Sequence, residues 1–374
     1  MRQTDRPMAF SLRTAHRAPA RQIIRHMSSL VHTERLTRAD RDAMRRQLQT
    51  QGFCMSPQPL LDAPVRDALK LRYEALFRGD FETGVYPDEW HWRAGLSLPN
   101  VTRESCNAYK SDRLIAAVVL NAGLAHVAAD LQCWDSVRIG QDDVIWKPPA
   151  AVMLTDNNNT LRRYTRPQTI VGFHRDADYI SRQFEPFENS SLTIWMALDD
   201  ADEETGCLEY IPGSHLWPNV ETTEESSSTL TFFSKDDDTE KNYTTNQDSH
   251  RKSMPPQVHT KDIVYPKCPA GHVLFHHQDV WHGSGPNQST VRHRRALVAH
   301  VLNARVTWRQ STASQGESSS LQPPWAGITY IYGRYRRPES LQLDDCFFPV
   351  LYAAPGSGLQ RTPWLDPYVA KEVV

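Results

Sequence analysis

The sequence has no run of 18 consecutive apolar residues, so we expect no membrane span. It also has no CxxC motif. Its six cysteines are scattered, which excludes the usual zinc spacings and fits a reducing compartment better than a disulfide scaffold. An excess of charge is missing as well: the formal net charge is -2, so nothing indicates a nucleic-acid partner. With 374 residues the chain can bury a sizeable core.

Acidic residues are nearly absent from residues 1–33, which contain six arginines and one acid, Asp5. Arg13, Arg17, Arg21 and Arg25 recur every fourth residue, which would place them near one face of a helix. This composition is typical of a transit peptide, and a disordered basic tail shares it. We expect one of these two. The first would direct the protein to mitochondria and the second would leave it in the cytoplasm, so both predict an intracellular protein.

We expect residues 34–374 to form a single domain that is mainly β with flanking α-helices. Apolar spacing predicts helices at 37–52, 62–80 and 111–132, within a helical part that spans 37–133. From about residue 145 short strands separated by turn residues take over, which favours a sandwich or barrel core over 145–302. A polar stretch at 217–261 is predicted to be a loop insertion, either a lid or a disordered segment. Residues 305–374 are predicted to be a C-terminal extension that wraps the domain.

A histidine and an aspartate stand two residues apart in the stretch GFHRDADY, as His174 and Asp176. On an extended strand this spacing puts both side chains on one face. A further histidine, His282, follows a later predicted strand and begins the turn HGSGPN. Two histidines and one carboxylate form the facial triad of non-haem Fe(II) oxygenases, which leaves coordination positions open for a 2-oxo acid and dioxygen. The sequence therefore predicts an iron site made of His174, Asp176 and His282.

Four stretches of the chain resemble the phytanoyl-CoA dioxygenase family of Fe(II)/2-oxoglutarate oxygenases: GFHRDADY, SLTIWMALDDADEETGCLEYIPGSHLW, HHQDVWHGSGPN and RRAL. The resemblance covers roughly residues 145–302. It implies a double-stranded β-helix, the jelly roll of cupin-like proteins, with the N-terminal helices packed outside. It implies Fe(II), 2-oxoglutarate and dioxygen as cofactors, with ascorbate as a further candidate. It also implies hydroxylation of an unactivated C–H bond in a small-molecule or acyl-CoA substrate.

The family's pattern assigns the triad to the iron and Arg294 to the far carboxylate of 2-oxoglutarate. Trp195 matches an aromatic residue that lines the co-substrate pocket, and Lys147 matches a lysine near the substrate or co-substrate. One extra residue before Arg294 departs from the pattern and leaves Arg292 and Arg295 as rivals. Strand alternation and the match to RRAL favour Arg294, with Arg295 facing outward.

Other functions share this fold, so alternatives must be weighed. A halogenase lacks the carboxylate ligand, and Asp176 therefore argues against halogenation. A non-catalytic or isomerase-type metal-binding protein would keep the fold but has no use for Arg294. Among the remaining histidines, His277 is predicted to orient a neighbouring ligand. His276 and His300 are predicted to be hydrogen-bonded strand histidines without a ligand role.

Overall fold

The computed structural model describes residues 30–150, 152–155, 161–164, 169–218, 259–310 and 330–366. Predictions for the basic N-terminal segment, for nearly all of the 217–261 insertion and for parts of the C-terminal extension fall outside these residues and stay predictions. The α-helices in the described ranges are α1 (Arg38–Gln51), α2 (Ala63–Phe77), α3 (Arg113–Val119), α4 (Ala122–Gln132) and α5 (Tyr330–Gly333). The strands are β1 (Phe53–Met55), β2 (Glu89–Trp90), β3 (Arg103–Cys106), β4 (Ser136–Lys147), β5 (Val152–Thr155), β6 (Leu161–Tyr164), β7 (Val171–His174), β8 (Phe184–Glu185), β9 (Ser191–Ala197), β10 (Leu208–Tyr210), β11 (Val273–His277), β12 (His282–Ser284), β13 (Arg294–Asn303), β14 (Thr307–Trp308) and β15 (Val350–Ala353).

Helix α1 begins and ends where the sequence predicts because both of its ends are capped. The Thr37 hydroxyl accepts a hydrogen bond from the Asp40 amide, and the Asp40 carboxylate accepts one from the Thr37 amide. This reciprocal pair satisfies amides that the first turn leaves without a partner. Gly52 ends the helix in the left-handed region at φ 83°, which glycine adopts without a Cβ clash. Helix α2 starts directly after Asp62 and carries a proline in its first turn.

The third predicted helix is interrupted, so a single helix over 111–132 is wrong. Helix α3 stops at Val119, and Asn121 precedes the start of α4. The Asn121 side chain accepts a hydrogen bond from the Leu124 amide at 3.1 Å, which makes Asn121 the N-cap of α4. By length and composition alone Arg113–Gln132 could cross a membrane, but 72% of its apolar 18-residue window is buried inside the fold. Such burial is typical of core helices, whose apolar surface faces protein.

Two antiparallel sheets confirm the double-stranded β-helix. The larger has the order β1-β11-β9-β13-β4-β3-β2, with β15 also paired to β4, and the smaller has the order β10-β12-β7. The β part begins earlier than predicted, since β2, β3 and most of β4 precede residue 145. Strand β4 escapes a pattern search because polar residues, Gln141 and Asp143, occupy positions that face a cavity. Strand β15, in the C-terminal extension, pairs with β4 at the edge of the predicted core.

Side chains alternate across the larger sheet, so that one face packs against the helices and the opposite face lines a cavity. On β9, Leu192, Ile194 and Met196 join the main hydrophobic core together with apolar residues of α2, α3 and α4. Thr193 and Trp195 point to the opposite side and line a cavity. This is the period-two pattern of a strand. The helices therefore hold one face of the sheet, and the other face is free to carry a site.

Candidate metal centre and co-substrate pocket

The three predicted iron ligands meet at the smaller sheet. His174 ends β7 and His282 begins β12, and these two residues are direct partners in the antiparallel pairing of the strands. The spacing predicts that Asp176 lies on the same strand as His174. Asp176 instead begins a short 3-10 turn, Asp176–Asp178. Arg175 between them keeps an extended backbone (φ -121°, ψ 137°), so the two flanking side chains still point to the same side.

The geometry of the three side chains suits one metal ion. One ligand atom from each residue lies within 4.8 Å of the others. Asp176 Oδ1 is 3.7 Å from Nε2 of His174 and 3.7 Å from Nε2 of His282. The far nitrogens are already used, because His174 Nδ1 donates to the Gly172 carbonyl at 2.8 Å and His282 Nδ1 donates to the Val280 carbonyl at 3.0 Å. These bonds fix the tautomer in which both Nε2 lone pairs face the shared space.

The electrostatics of the cluster also suit a metal. Burial, reinforced by neighbouring imidazoles, lowers the pKa of His174 and of His282 to about 4. Both rings are therefore neutral at physiological pH, as a ligand must be. Burial would raise the pKa of Asp176, but its electrostatic interaction with the His282 ring and a hydrogen bond from His276 outweigh burial and lower that pKa well below its usual range. Asp176 is therefore an anion, and the set offers two neutral nitrogens and one carboxylate.

Asp176 is held by three donors that the sequence did not identify. The hydroxyl of Thr193 donates to Asp176 Oδ2, and His276 Nε2 donates to the same oxygen at 3.1 Å. The hydroxyl of Tyr179 donates to Oδ1 at 3.0 Å. These donors fix the carboxylate and stabilise its anionic form. Thr193 and His276 are direct partners in the pairing of β9 with β11, which is why they reach one oxygen together.

The network continues outward from these donors. Tyr210 donates a hydrogen bond to His276 Nδ1 at 2.9 Å. The ring proton of His276 is therefore on Nε2, which donates the hydrogen bond that Asp176 accepts. His300 Nδ1 donates to the Thr193 hydroxyl at 2.8 Å, and its Nε2 donates to Asp143 at 2.9 Å. Burial opposes a charge on His300, but the bond to Asp143 outweighs it and raises the pKa of the ring. His276 and His300 thus support the metal site rather than only the strands.

His277, which we predicted to orient a ligand, does not take part in this network. It lies on the opposite side of β11 from His276, as alternation requires. Its ring packs against His215 at 5.3 Å, and its Nδ1 accepts a hydrogen bond from the Asp279 amide at 3.2 Å. His215 in turn donates to the Gln49 carbonyl at 3.1 Å.

Arg294 reaches the cavity wall, and its two rivals do not. Its side chain is 1% exposed, and its Nε and Nη2 donate to the Gly206 carbonyl at 3.1 and 2.8 Å. Arg295 faces the other way, bonds to Asp199 at 2.7 Å and packs over Trp146. Arg292 is partly exposed and pairs with acidic side chains of the surface. Among the described residues, Arg294 has no carboxylate partner. A cation buried in this way is stabilised by an anion supplied from outside.

Trp195 lines the same cavity, and its ring lies 5.4 Å from the Arg294 guanidinium. Lys147 does not line it. Its buried ammonium instead donates to the Ser284 hydroxyl, to the Ser284 carbonyl at 3.3 Å and to the Gly285 carbonyl at 2.6 Å. These three acceptors use all three of its hydrogens. Lys147 therefore holds the Ser284–Gly285 segment that follows His282, and it is not among the described residues that line the cavity.

The cavity that joins these groups has a volume of about 340 Å³. The triad lies on its wall, Arg294 and Trp195 lie in one part, and the strands β2, β3 and β4 supply another. Sites of this size hold small molecules. The residues present thus fit a metal ion, an acid co-substrate and a small substrate side by side.

The family model described as "Phytanoyl-CoA dioxygenase (PhyH)" matches residues 48–296, more than half of the chain. The chain belongs to the phytanoyl-CoA dioxygenase family. A curated relative from Stutzerimonas stutzeri, named "Probable alpha-ketoglutarate-dependent hypophosphite dioxygenase", is 25% identical over 174 residues. That alignment covers 45% of this chain and 46% of the relative, so the chain spans about half the length of the relative it matches.

Solved structures give the same fold at low identity. The alpha-ketoglutarate-dependent epimerase SnoN of nogalamycin biosynthesis matches with a TM-score of 0.53 and 19% identity, over 84% of this chain and 100% of that one. The carbocyclase SnoK of the same biosynthesis matches with a TM-score of 0.53 and 18% identity, over 87% and 99%. EctD from S. alaskensis matches with a TM-score of 0.51 and 17% identity, over 85% and 92%. At these identities the match shows the fold alone.

The family match and the ligand set agree on the cofactors. Fe(II) and 2-oxoglutarate are the cofactors of this dioxygenase family, and the chain carries a two-histidine, one-carboxylate cluster of the kind that binds such iron. The predictions of an oxidoreductase, of a dioxygenase and of these cofactors are therefore confirmed.

Proposed function

We propose that this protein hydroxylates an unactivated C–H bond of a small molecule, with His174, Asp176 and His282 as its iron ligands. One observation carries the proposal. A single cavity is lined both by the triad and by Arg294, a buried cation without a carboxylate partner among the described residues. A metal-binding protein that does not use 2-oxoglutarate gains nothing from such an arginine, because burying an unpaired charge is costly.

The side chains around the cavity have separate tasks in this proposal. Bound at the triad, Fe(II) with 2-oxoglutarate and dioxygen supplies the oxidising power needed to insert oxygen into a C–H bond. Arg294 would bind the far carboxylate of 2-oxoglutarate. Its Nε and Nη2 are held by the Gly206 carbonyl, and this bond fixes the plane of the guanidinium. Trp195 shields the ion pair from water, which strengthens it.

Asp176 supports hydroxylation as the outcome. A halogenase needs a coordination position for halide where this chain has a carboxylate. Here that carboxylate is buried, anionic and held by three hydrogen bonds, so it does not yield its place readily. With a true substrate, chloride in the buffer should leave the product unchanged, and one oxygen atom from labelled dioxygen should appear in it. A chlorinated product from the unaltered protein would contradict the role given to Asp176.

The experiment that tests the proposal is the consumption of 2-oxoglutarate by iron-loaded protein. Succinate should form when the protein is offered a panel of small molecules, and His282→Ala should form none. The matched control is His272→Ala, because the His272 ring hydrogen-bonds to the Ser56 carbonyl, at 2.9 Å, and is not among the described residues that line the cavity. If the unaltered protein binds iron but neither binds nor consumes 2-oxoglutarate, a non-catalytic metal-binding protein is the better description. A product that is an isomer of its substrate and carries no oxygen label would favour an isomerase.

A further inference from the structure

The wall of the cavity formed by β2, β3 and β4 carries one carboxylate from each strand. These are Glu89 on β2, Glu104 on β3 and Asp143 on β4. The pairing of the strands explains the arrangement, because Glu89 is the partner of Cys106 and Cys106 is the partner of Asp143. Glu104 lies two residues before Cys106 and shares its face. The three acids therefore line the same space as the iron site.

Two of the three acids already have hydrogen-bond partners. Glu89 bonds to His91 Nε2 at 2.8 Å. Asp143 accepts from Gln141 at 2.7 Å and from His300 at 2.9 Å. The carboxylate of Glu104 makes no hydrogen bond or ion pair with a described residue. Burial and the nearby charge of Asp143 raise the pKa of Glu104 to about 8, so its negative charge is poorly supported while the cavity holds no cation.

Two buried hydroxyls in the same cavity also lack partners. Thr102 is 6% exposed and Tyr332 is 2% exposed, and both line the cavity. Neither Thr102 Oγ1 nor the Tyr332 hydroxyl has a hydrogen-bond partner among the described residues. Buried polar groups are nearly always satisfied in a working protein. These two hydroxyls therefore point to a polar ligand, and they do so independently of the acids.

The sign of the charge on this wall selects among ligands. Arg294 is the one arginine or lysine among the described residues of the cavity lining, and it belongs to the co-substrate part. A substrate with phosphates or a free carboxylate would meet Glu89, Glu104 and Asp143, and no lysine or arginine in the described part of this wall would balance them. A protonated amine would gain charge-assisted hydrogen bonds to the same oxygens.

Resting on the proposed function, we propose that the substrate is a small molecule with a protonated amine, bound by Glu104 and Glu89 beside the iron site. The hydroxyls of Thr102 and Tyr332 would bind a further polar group of the same molecule. The size of the cavity, which 2-oxoglutarate must share, limits the substrate to a small one. An acyl-CoA thioester, with its phosphates, does not fit the charge of this wall.

The test compares three probes of one shape and different charge: cyclohexylamine, cyclohexanol and cyclohexanecarboxylate. Calorimetry measures their binding to protein loaded with Fe(II) and 2-oxoglutarate without oxygen. Cyclohexylammonium should bind at least about ten-fold more tightly than cyclohexanol, since a charge-assisted hydrogen bond in a buried site is worth that much. The carboxylate should bind weakest. Glu104→Gln should abolish the preference for the amine, and Glu89→Gln should reduce it. The matched control is Glu339→Gln, at an exposed position outside the cavity lining, and it should keep the preference.

The visible charge-transfer absorption of the Fe(II)–2-oxoglutarate complex distinguishes failure of the proposed function from failure of the cationic substrate. If this absorption does not form in the unaltered protein, the proposed function fails. If the absorption forms, three results refute the cationic substrate alone: the three probes bind equally, or the carboxylate binds best, or the amine does not bind. The absorption also reports whether each variant is folded. Should Glu104→Gln not fold, Glu89→Gln carries the test, and an undiminished preference there counts against the proposal.

Discussion

Replacing Arg294 by alanine tests the distinction between an oxygenase and a metal-binding protein of the same fold. The side chain is 1% exposed, and its hydrogen bonds end on the Gly206 carbonyl. Burial lowers the pKa of Arg294 to about 10, so the group stays charged at neutral pH. We expect this buried cation to be the partner of the 2-oxoglutarate carboxylate. Arg294→Ala should therefore weaken the binding of the co-substrate rather than unfold the protein.

The size of the effect follows from the burial of the pair. Removing one partner of a buried, hydrogen-bonded charge pair costs about 2–5 kcal/mol. Each ~1.4 kcal/mol changes an equilibrium tenfold, so the KM for 2-oxoglutarate should rise by about 30-fold to several thousand-fold. Arg294→Lys should fall between the alanine variant and the unaltered protein, because lysine keeps the charge but loses the planar fork that binds both carboxylate oxygens.

The assay is succinate formation at increasing 2-oxoglutarate, together with a melting temperature for every variant. Arg295→Ala is the matched control. It removes a largely buried ion pair with Asp199 and the contact with Trp146, so it should lower the melting temperature. It should leave the KM for 2-oxoglutarate unchanged, because Arg295 faces away from the cavity. An unchanged requirement in Arg294→Ala, or an equal rise in Arg295→Ala, would refute the reasoning.

The other predictions concern the iron site and the N-terminus. His282→Ala should lose bound Fe(II) by metal analysis, while His272→Ala should keep it; iron retained in the first would contradict the triad. Thr193→Val removes a hydroxyl that donates to the carboxylate ligand, so Fe(II) affinity should fall about 10- to 100-fold by competition with a chelator. Normal affinity would show that this donor does not matter. Deleting residues 1–28 should leave the melting temperature unchanged. Deleting 1–33 should cost about 2 kcal/mol, because Val31 is buried in the core, and equal stability of the two truncations would argue against that.

The cluster of His174, Asp176 and His282 could be predicted because side chains alternate along an extended backbone, and Arg175 keeps that conformation although Asp176 itself opens a 3-10 turn. The third residue could be predicted because His282 follows a strand and begins the turn HGSGPN. The same alternation separates Arg294 from Arg295. The network around Asp176 could not be predicted, because it depends on which residues of different strands lie opposite each other. His276 rather than its neighbour His277 reaches Asp176 because it is paired with Thr193 across β9 and β11.

Two other differences between the predicted and the observed structure also arise from contacts that are formed only in the folded chain. Strands β3 and β4 are absent from the predicted strands because Glu104 on β3 and Gln141 and Asp143 on β4 face the cavity as polar residues, which breaks the apolar pattern there. The sequence places Lys147 near the substrate or co-substrate because the family resemblance matches it to such a lysine. The structure supplies a different purpose for Lys147, since three oxygen acceptors on the Ser284–Gly285 segment bind its ammonium. Such acceptors, two of them backbone carbonyls, leave no trace in the sequence.

The triad alone does not decide which reaction follows. Structures that share this fold at below 20% identity are described as an epimerase and a carbocyclase, so the fold accommodates more than one outcome. What varies is the wall that holds the substrate and decides which of its C–H bonds lies next to the iron. In this chain that wall is acidic, and one of its acids, Asp143, is bonded through His300 and Thr193 to the ligand Asp176. The acidic wall that would attract a cationic substrate is thus connected, through Asp143, to the carboxylate that would hold the metal. A charge placed at this wall should therefore be felt at the iron as well as at the substrate.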